Sequence, residues 1–411
     1  MTGECGVLPR DPAPLAASAA SVPLLDAGRA YGRCSLAEDG PVSDLMRMAV
    51  SAGHRVGRRP PLRRALKDVL AVLPETPEAH GSLTRGVPAA AAAIRVALGN
   101  ADGLAARYCD DLARAEARVD AIAAARLRAA HRRIAAGIPP VPGEYSWRDG
   151  LAGIGAGMLR REHPERDETL RAVLRYLVAL TRPLTRNGET RPGWWPARQD
   201  DPSHDRADLG VADGTAGVLA LLALAHRRGV RVDRHRAAIR TLADWYRLHQ
   251  QGADEDTPWW PEVVFGPEPA TGRSVRPDSG WAGTLGIARS LQLAGIVLGD
   301  PGLRRDAVAA AEYALTEPMF RSGGLCGGPH GAALTALRMV RDEDGGEHRP
   351  LAAAAASLPR AADPSTLHGV PAGGFLDGED GVLASCPPNG RRPALPGPDA
   401  EPWDWVLLTA C

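Results

Sequence analysis

The chain has 411 residues, enough for two average domains or one large ring-shaped domain. Its 49 basic and 49 acidic residues balance, which removes the electrostatic case for nucleic acid or an anionic membrane as partner. No run approaches the roughly 18 apolar residues of a membrane span, the start Met1-Thr2-Gly3-Glu4-Cys5 lacks the order of a signal peptide, and six scattered cysteines without a CxxC pair read as reduced thiols, so a cytoplasmic protein is expected.

Residues 1–45 are rich in Pro, Ala and Gly with little periodicity, and read as a partly ordered lead-in to one domain over 46–411. Amphipathic spacing from Ser43 to Leu73 (Leu45, Met48, Leu62, Leu66, Val69) predicts one or two helices. An Ala/Arg-rich run over 101–136, with Leu112, Val119, Ile122 and Leu127 on one face, predicts a long helix that Pro139, Pro140 and Pro142 end.

One short turn then recurs six times: Arg85-Gly86-Val87-Pro88-Ala89, Asp149-Gly150-Leu151-Ala152-Gly153, Asp213-Gly214-Thr215-Ala216-Gly217, Ala282-Gly283-Thr284-Leu285-Gly286, Gly327-Gly328-Pro329-His330-Gly331 and Asp377-Gly378-Glu379-Asp380-Gly381. The leading glycines stand 64, 64, 69, 45 and 50 residues apart. Each turn precedes an apolar stretch, and several of these are followed by Arg/Ala-rich segments such as Glu168–Leu180, Arg236–Gln250 and Leu303–Leu315. Repetition at this period predicts stacked helical hairpins. The leading glycine is expected to supply a positive φ at the corner, and the second to let the helix start pack closely. The fold class is therefore all-α, an α/α toroid of inner and outer helices, with the six turns gathered on one face.

At these turns the chain resembles the lanthionine cyclase family, the LanC-like proteins that close thioether rings in ribosomally made peptides. The resemblance covers roughly residues 80 to 411 and rests on the six turns with their flanks. Those flanks include Ser146-Trp147-Arg148-Asp149, Leu209-Gly210-Val211-Ala212-Asp213, Asp278-Ser279-Gly280-Trp281, Gly324-Leu325-Cys326-Gly327 and the ending Pro402-Trp403-Asp404. It implies a zinc site built from a His in the third turn, a Cys in the fourth and a Cys-His pair in the fifth. The metal would lower the pKa of a substrate thiol that adds to a dehydroamino acid. Matched position by position, these places hold Asp213, Trp281, Cys326 and Gly327, and a family Asp before the second turn falls on Ser146. One ligand of the set remains, so zinc is not expected as cofactor. A rebuilt Cys326/His330/Asp213 set is the alternative, and Trp281 is expected to fill the former metal pocket.

The catalytic candidates are His330, Asp213, His204 and Cys326. His330, at a helix start, would serve as a base near neutral pH, although a capping role suits it equally. Asp213 shares its place before the leading glycine with Asp149 and Asp377, which favours helix capping. Cys326 also reads as a small buried apolar residue. Trp194, Trp259, Trp281, Arg276, Asp278 and Ser146 are the candidate substrate contacts, with the Trp pairs equally readable as loop anchors.

Three functions fit these residues. The first is a zinc-independent cyclase acting on a precursor peptide, with a dehydratase as possible partner. The second is a non-catalytic peptide-binding scaffold. The third is a carbohydrate-active toroid using paired carboxylates among Asp149, Asp213, Asp278 and Asp377.

Overall fold

Each of the six glycine turns opens a helix, and five of these helices are almost wholly buried. The computed structural model describes residues 35–53, 62–73, 81–101, 103–186, 188–196, 206–252, 257–266, 276–343, 349–358, 370–386, 395 and 402–408. The helices opened by the turns are α3 (Val87–Gly99), α6 (Leu151–Met158), α8 (Thr215–Arg227), α10 (Thr284–Leu298), α12 (Pro329–Asp342) and α14 (Glu379–Ser385). Their Ala/Leu/Gly content suits helices packed on every side. The outer partners bury one face only: α4 (Ala105–Ala135), α7 (Glu168–Ala179), α9 (His235–Leu248), α11 (Pro301–Thr316) and α13 (Arg349–Ser357). Two more helices precede the first turn, α1 (Pro41–Gly53) and α2 (Leu62–Val72), and a single turn, α5 (Pro142–Tyr145), leads into the second.

Each of the first five inner helices packs on the outer helix that follows it, and α3, α6, α8, α10 and α12 pack on one another in order. Helix α1 lies against both α3 and α14 and so closes the ring. This is the expected α/α toroid. Two small antiparallel ribbons decorate it, β1 (Leu184–Arg186) with β2 (Glu189–Arg191) and β3 (Arg206–Asp208) with β4 (Val263–Phe265).

Residues 1–34 of the expected lead-in lie outside the described residues, but Ser35 to Pro41 are stitched between the first and sixth turns. The Leu36 amide donates to Thr84 O at 2.9 Å, and its carbonyl accepts from the Phe375 and Leu376 amides, both at 2.8 Å.

The glycines act sterically more than conformationally. Only Gly86 has a positive φ (74°). The other five leading glycines have φ between −102° and −110°, outside the left-handed region. What excludes a side chain is crowding: a Cβ on Gly214 would strike the Asp208 backbone, and one on Gly283 the Asp278 backbone. The second glycines, Gly153, Gly217, Gly286, Gly331 and Gly381, are pressed against the carbonyls of Trp147, Val211, Trp281, Leu325 and Phe375.

Those five residues share a place in their turns and face the ring's interior. The space there is filled by the chain's own end, a 3-10 turn at Asp404–Leu407. Trp147 donates its indole N–H to Val406 O at 2.8 Å and Trp281 to Leu407 O at 2.5 Å. Phe375 meets Trp403 edge-on at 5.4 Å. Asp404, fully buried, receives a two-pronged bond from Arg338 of α12, at 2.6 and 2.8 Å. Residues 403–407 therefore pack within the ring against three of its turns and helix α12.

Candidate functional site

On the turn face the residue after each interior-facing one forms a belt. Its members are Thr84, Arg148, Ala212, Ala282, Cys326 and Leu376. Arg148 N donates to Ala212 O (2.9 Å), Ala282 N to Cys326 O (2.8 Å) and Cys326 N to Leu376 O (3.1 Å). Thr84 Oγ1 donates to Arg148 O (3.1 Å), and Leu36 joins Leu376 to Thr84. Side chains at belt positions share one rim of the ring.

Four of the side chains there interact as a group. Arg148 Nε donates to both carboxylate oxygens of Asp213, at 3.1 and 3.3 Å. Burial works against the guanidinium charge, but Asp213, Cys326 and Asp377 outweigh it and raise the pKa. Cys326 is 5% exposed. Burial pushes its thiol well above the ordinary value, a nearby and hydrogen-bonded Asp377 adds to the rise, and Arg148 opposes it. The result is a protonated thiol, a guanidinium and two carboxylates in mutual electrostatic contact.

Two more carboxylates flank this group. Asp208 accepts from the Gly210 amide at 2.6 Å, and burial pushes its pKa up to about 6 against that bond, with Asp213 and Glu262 adding. Asp278 repeats the arrangement one turn later, accepting from Gly280 N at 2.9 Å, and burial raises it too.

A zinc ion does not fit this donor set. The belt position of the fourth turn is Ala282, and a guanidinium already supplies the local positive charge. Among the described residues no three His, Cys, Asp or Glu side chains converge on a point that could hold a metal.

A family model described as lanthionine synthetase C-like protein matches residues 73–385. The chain belongs to the LanC-like family. The structure is similar to that of nisin cyclase, with a TM-score of 0.70 over 94% of this chain and 95% of that one, at 16% identity. No curated protein matches the chain.

The structure places the other residues singled out from the sequence as follows. His330 is fully buried on α12, with neither ring nitrogen bonded among the described residues, and burial drives its pKa down to about 4. No part of it is exposed to solvent. Trp281 does not fill a metal pocket. The fourth turn is one residue shorter than the others, which moves Trp281 to the interior-facing place and leaves Ala282 at the belt. Trp194 is buried edge-on to Trp245 at 5.6 Å, and Trp259 is tied by its backbone to Gln251. Arg276 lies over the Tyr313 ring at 4.2 Å on α11. The hydroxyl of buried Ser146 accepts from Asp149 N inside its own turn. Asp213 caps nothing, since α8 starts at Gly214 without a side-chain cap and the carboxylate goes to Arg148. His204 lies outside the described residues.

Asp213, Cys326 and Asp278 lie on the turn face together with Arg148 and Asp208, which were not singled out from the sequence, and Asp377, named there only among the paired carboxylates of the carbohydrate-active reading. Aligning the six turns with each other would have found Arg148. It stands two residues before its leading glycine, as Cys326 does.

Proposed function

We propose that the protein closes thioether rings in a ribosomally made peptide, adding a cysteine thiol across the double bond of a dehydroalanine or dehydrobutyrine without a metal ion. The observation that supports this best is the grouping of Arg148, Asp213, Cys326 and Asp377 at the turn face of a LanC-like ring. The name of the similar structure, nisin cyclase, points to ring closure as the reaction.

The reaction is an isomerisation and needs no co-reactant. The thiol gives up its proton and sulfur bonds to the β-carbon. The π pair moves to the α-carbon and its carbonyl oxygen, and the α-carbon then takes a proton. Holding both groups of one peptide in near-attack geometry contributes on the order of 7–11 kcal/mol at best. A base adds about 10²–10⁴-fold. Asp208 is the side chain best matched to take the thiol proton and return it to carbon, because burial holds its pKa at about 6. Full burial and a pKa of about 4 leave His330 neutral at working pH and out of contact with solvent, which favours the carboxylate as base. The substrate is a precursor peptide, and a dehydratase must supply its dehydroamino acids. The cytoplasm is the proposed place of action.

The test is ring closure of a dehydrated, cysteine-containing peptide with and without the protein, followed by thiol alkylation and mass spectrometry. Acceleration over the spontaneous reaction supports the reading. Binding of the peptide without acceleration favours the scaffold instead.

A further inference from the structure

We infer that Arg148 is a catalytic residue of this mouth, its open guanidinium edge receiving the negative charge that develops on the substrate sulfur and then on the enolate oxygen. The inference rests on the ring-closure reading and adds the group that stabilises charge there.

Three observations carry it. Arg148 contacts Asp213 through Nε alone, and Nη1 and Nη2 take no hydrogen-bond partner among the described residues. The side chain is 35% exposed, so it is reachable from solvent. The belt places Arg148 in the same register as Cys326, whose thiol and neighbour Asp377 are the other charged or titratable groups facing it besides Asp213.

Asp213 has a second task in this arrangement. By holding Nε it fixes the guanidinium plane, so that the Nη edge is presented without reorganisation when charge appears. Asp213 is therefore a positioning residue. A guanidinium is well suited to the work because it stays protonated at every working pH and offers parallel N–H donors. Its pull favours the thiolate of an incoming cysteine, whose ordinary pKa is about 8.5. As sulfur bonds to carbon the charge moves to the carbonyl oxygen, and the same edge follows it over a short distance. The proton goes from sulfur to a mouth carboxylate and back to the α-carbon, so Arg148 donates hydrogen bonds and transfers no proton.

The test compares wild type with Arg148→Met, Arg148→Lys and Asp213→Asn in single-turnover ring closure across pH. The Arg148 amide, not its side chain, makes the belt bond to Ala212, so the variants keep that link. Arg148→Met is expected to lower kcat by about 10²–10³-fold, with KM little changed. Its rising alkaline limb should move up toward about 8.5, the value of a free thiol. Arg148→Lys keeps the charge, so it should hold the limb near the wild-type position with a reduced kcat. Asp213→Asn should reduce kcat with the limb retained. If Arg148→Met fails to fold, the lysine variant decides, and an unchanged kcat overturns the assignment. Wild-type acceleration kept in full by Arg148→Met overturns it alone. No acceleration by the wild type overturns the ring-closure reading and this assignment with it.

Discussion

Trp147 and Trp281 meet edge-on with ring centroids 4.6 Å apart, and each donates its indole N–H to one of two successive carbonyls, Val406 and Leu407. Two turns that are 134 residues apart in sequence (281 minus 147) are thereby fastened to the same C-terminal segment. The segment at residues 406–407 thus ties the second and fourth turns together.

The Arg338–Asp404 pair gives that tie a measurable strength. Asp404→Ala leaves a guanidinium without its partner in a packed interior, which should cost about 3–5 kcal/mol. Arg338→Met with Asp404→Leu removes both charges and should recover most of that loss. Urea unfolding of the three variants checks this, and a cost under roughly 1 kcal/mol, the worth of an exposed pair, would show that the segment is not held by this bond.

The glycines separate into tight and open sites. Gly331→Ala drives a methyl group into the Leu325 carbonyl, so the fifth turn must move. Gly157, within α6, has nothing within 4 Å of an added Cβ. Gly157→Ala should therefore stabilise the protein by roughly 0.4–1 kcal/mol, whereas Gly331→Ala should lower the melting temperature and slow ring closure.

His330 predicts an acid limb of stability. Its folded pKa of about 4 lies below the unfolded value, so the unfolded chain takes the proton first as pH falls. Stability should decline between about 6.5 and 4 by roughly 3 kcal/mol and then level off. His235, pushed by burial to about 4, adds a parallel term. His330→Leu should flatten the limb by about one proton in denaturant titrations at a series of pH values. It should also leave ring closure at neutral pH close to wild type, whereas a large loss would restore the histidine as a base.

Asp208 has the opposite sign. Its folded pKa of about 6 exceeds the unfolded value, so stability is lost as pH rises from roughly 4 to 6, by about 3 kcal/mol. Asp208→Asn keeps an oxygen for the Gly210 amide and removes the buried charge. The variant should melt higher than wild type at pH 7–8 and close rings at least about 10²-fold more slowly. A variant both more stable and fully active would remove Asp208 from the mechanism.

The ring was legible in the sequence because its cause is local and repeated. Six glycine turns followed by apolar stretches fix the hairpins, and Cys326, Asp213 and Asp278 were placed at the mouth by their position in those turns. The misplacements came from long-range packing. His330 stands at a helix start, where a polar role is the natural expectation, yet the neighbouring helices enclose it. Trp281 was misread because the fourth turn is one residue short, a change in register that only the belt reveals. Arg148 was passed over because arginines are abundant in this chain and the belt that singles it out joins residues 64 apart (Arg148 and Ala212).

The central claim is ring closure at a mouth where Arg148 supplies the positive charge. Its most direct test measures the ring-closing rate and the zinc content of the same preparation before and after dialysis against a strong chelator. The account predicts far less than one zinc per chain and an unchanged acceleration that Arg148→Met abolishes. Near-stoichiometric zinc, lost together with activity on chelation or in Cys326→Ala, would contradict it.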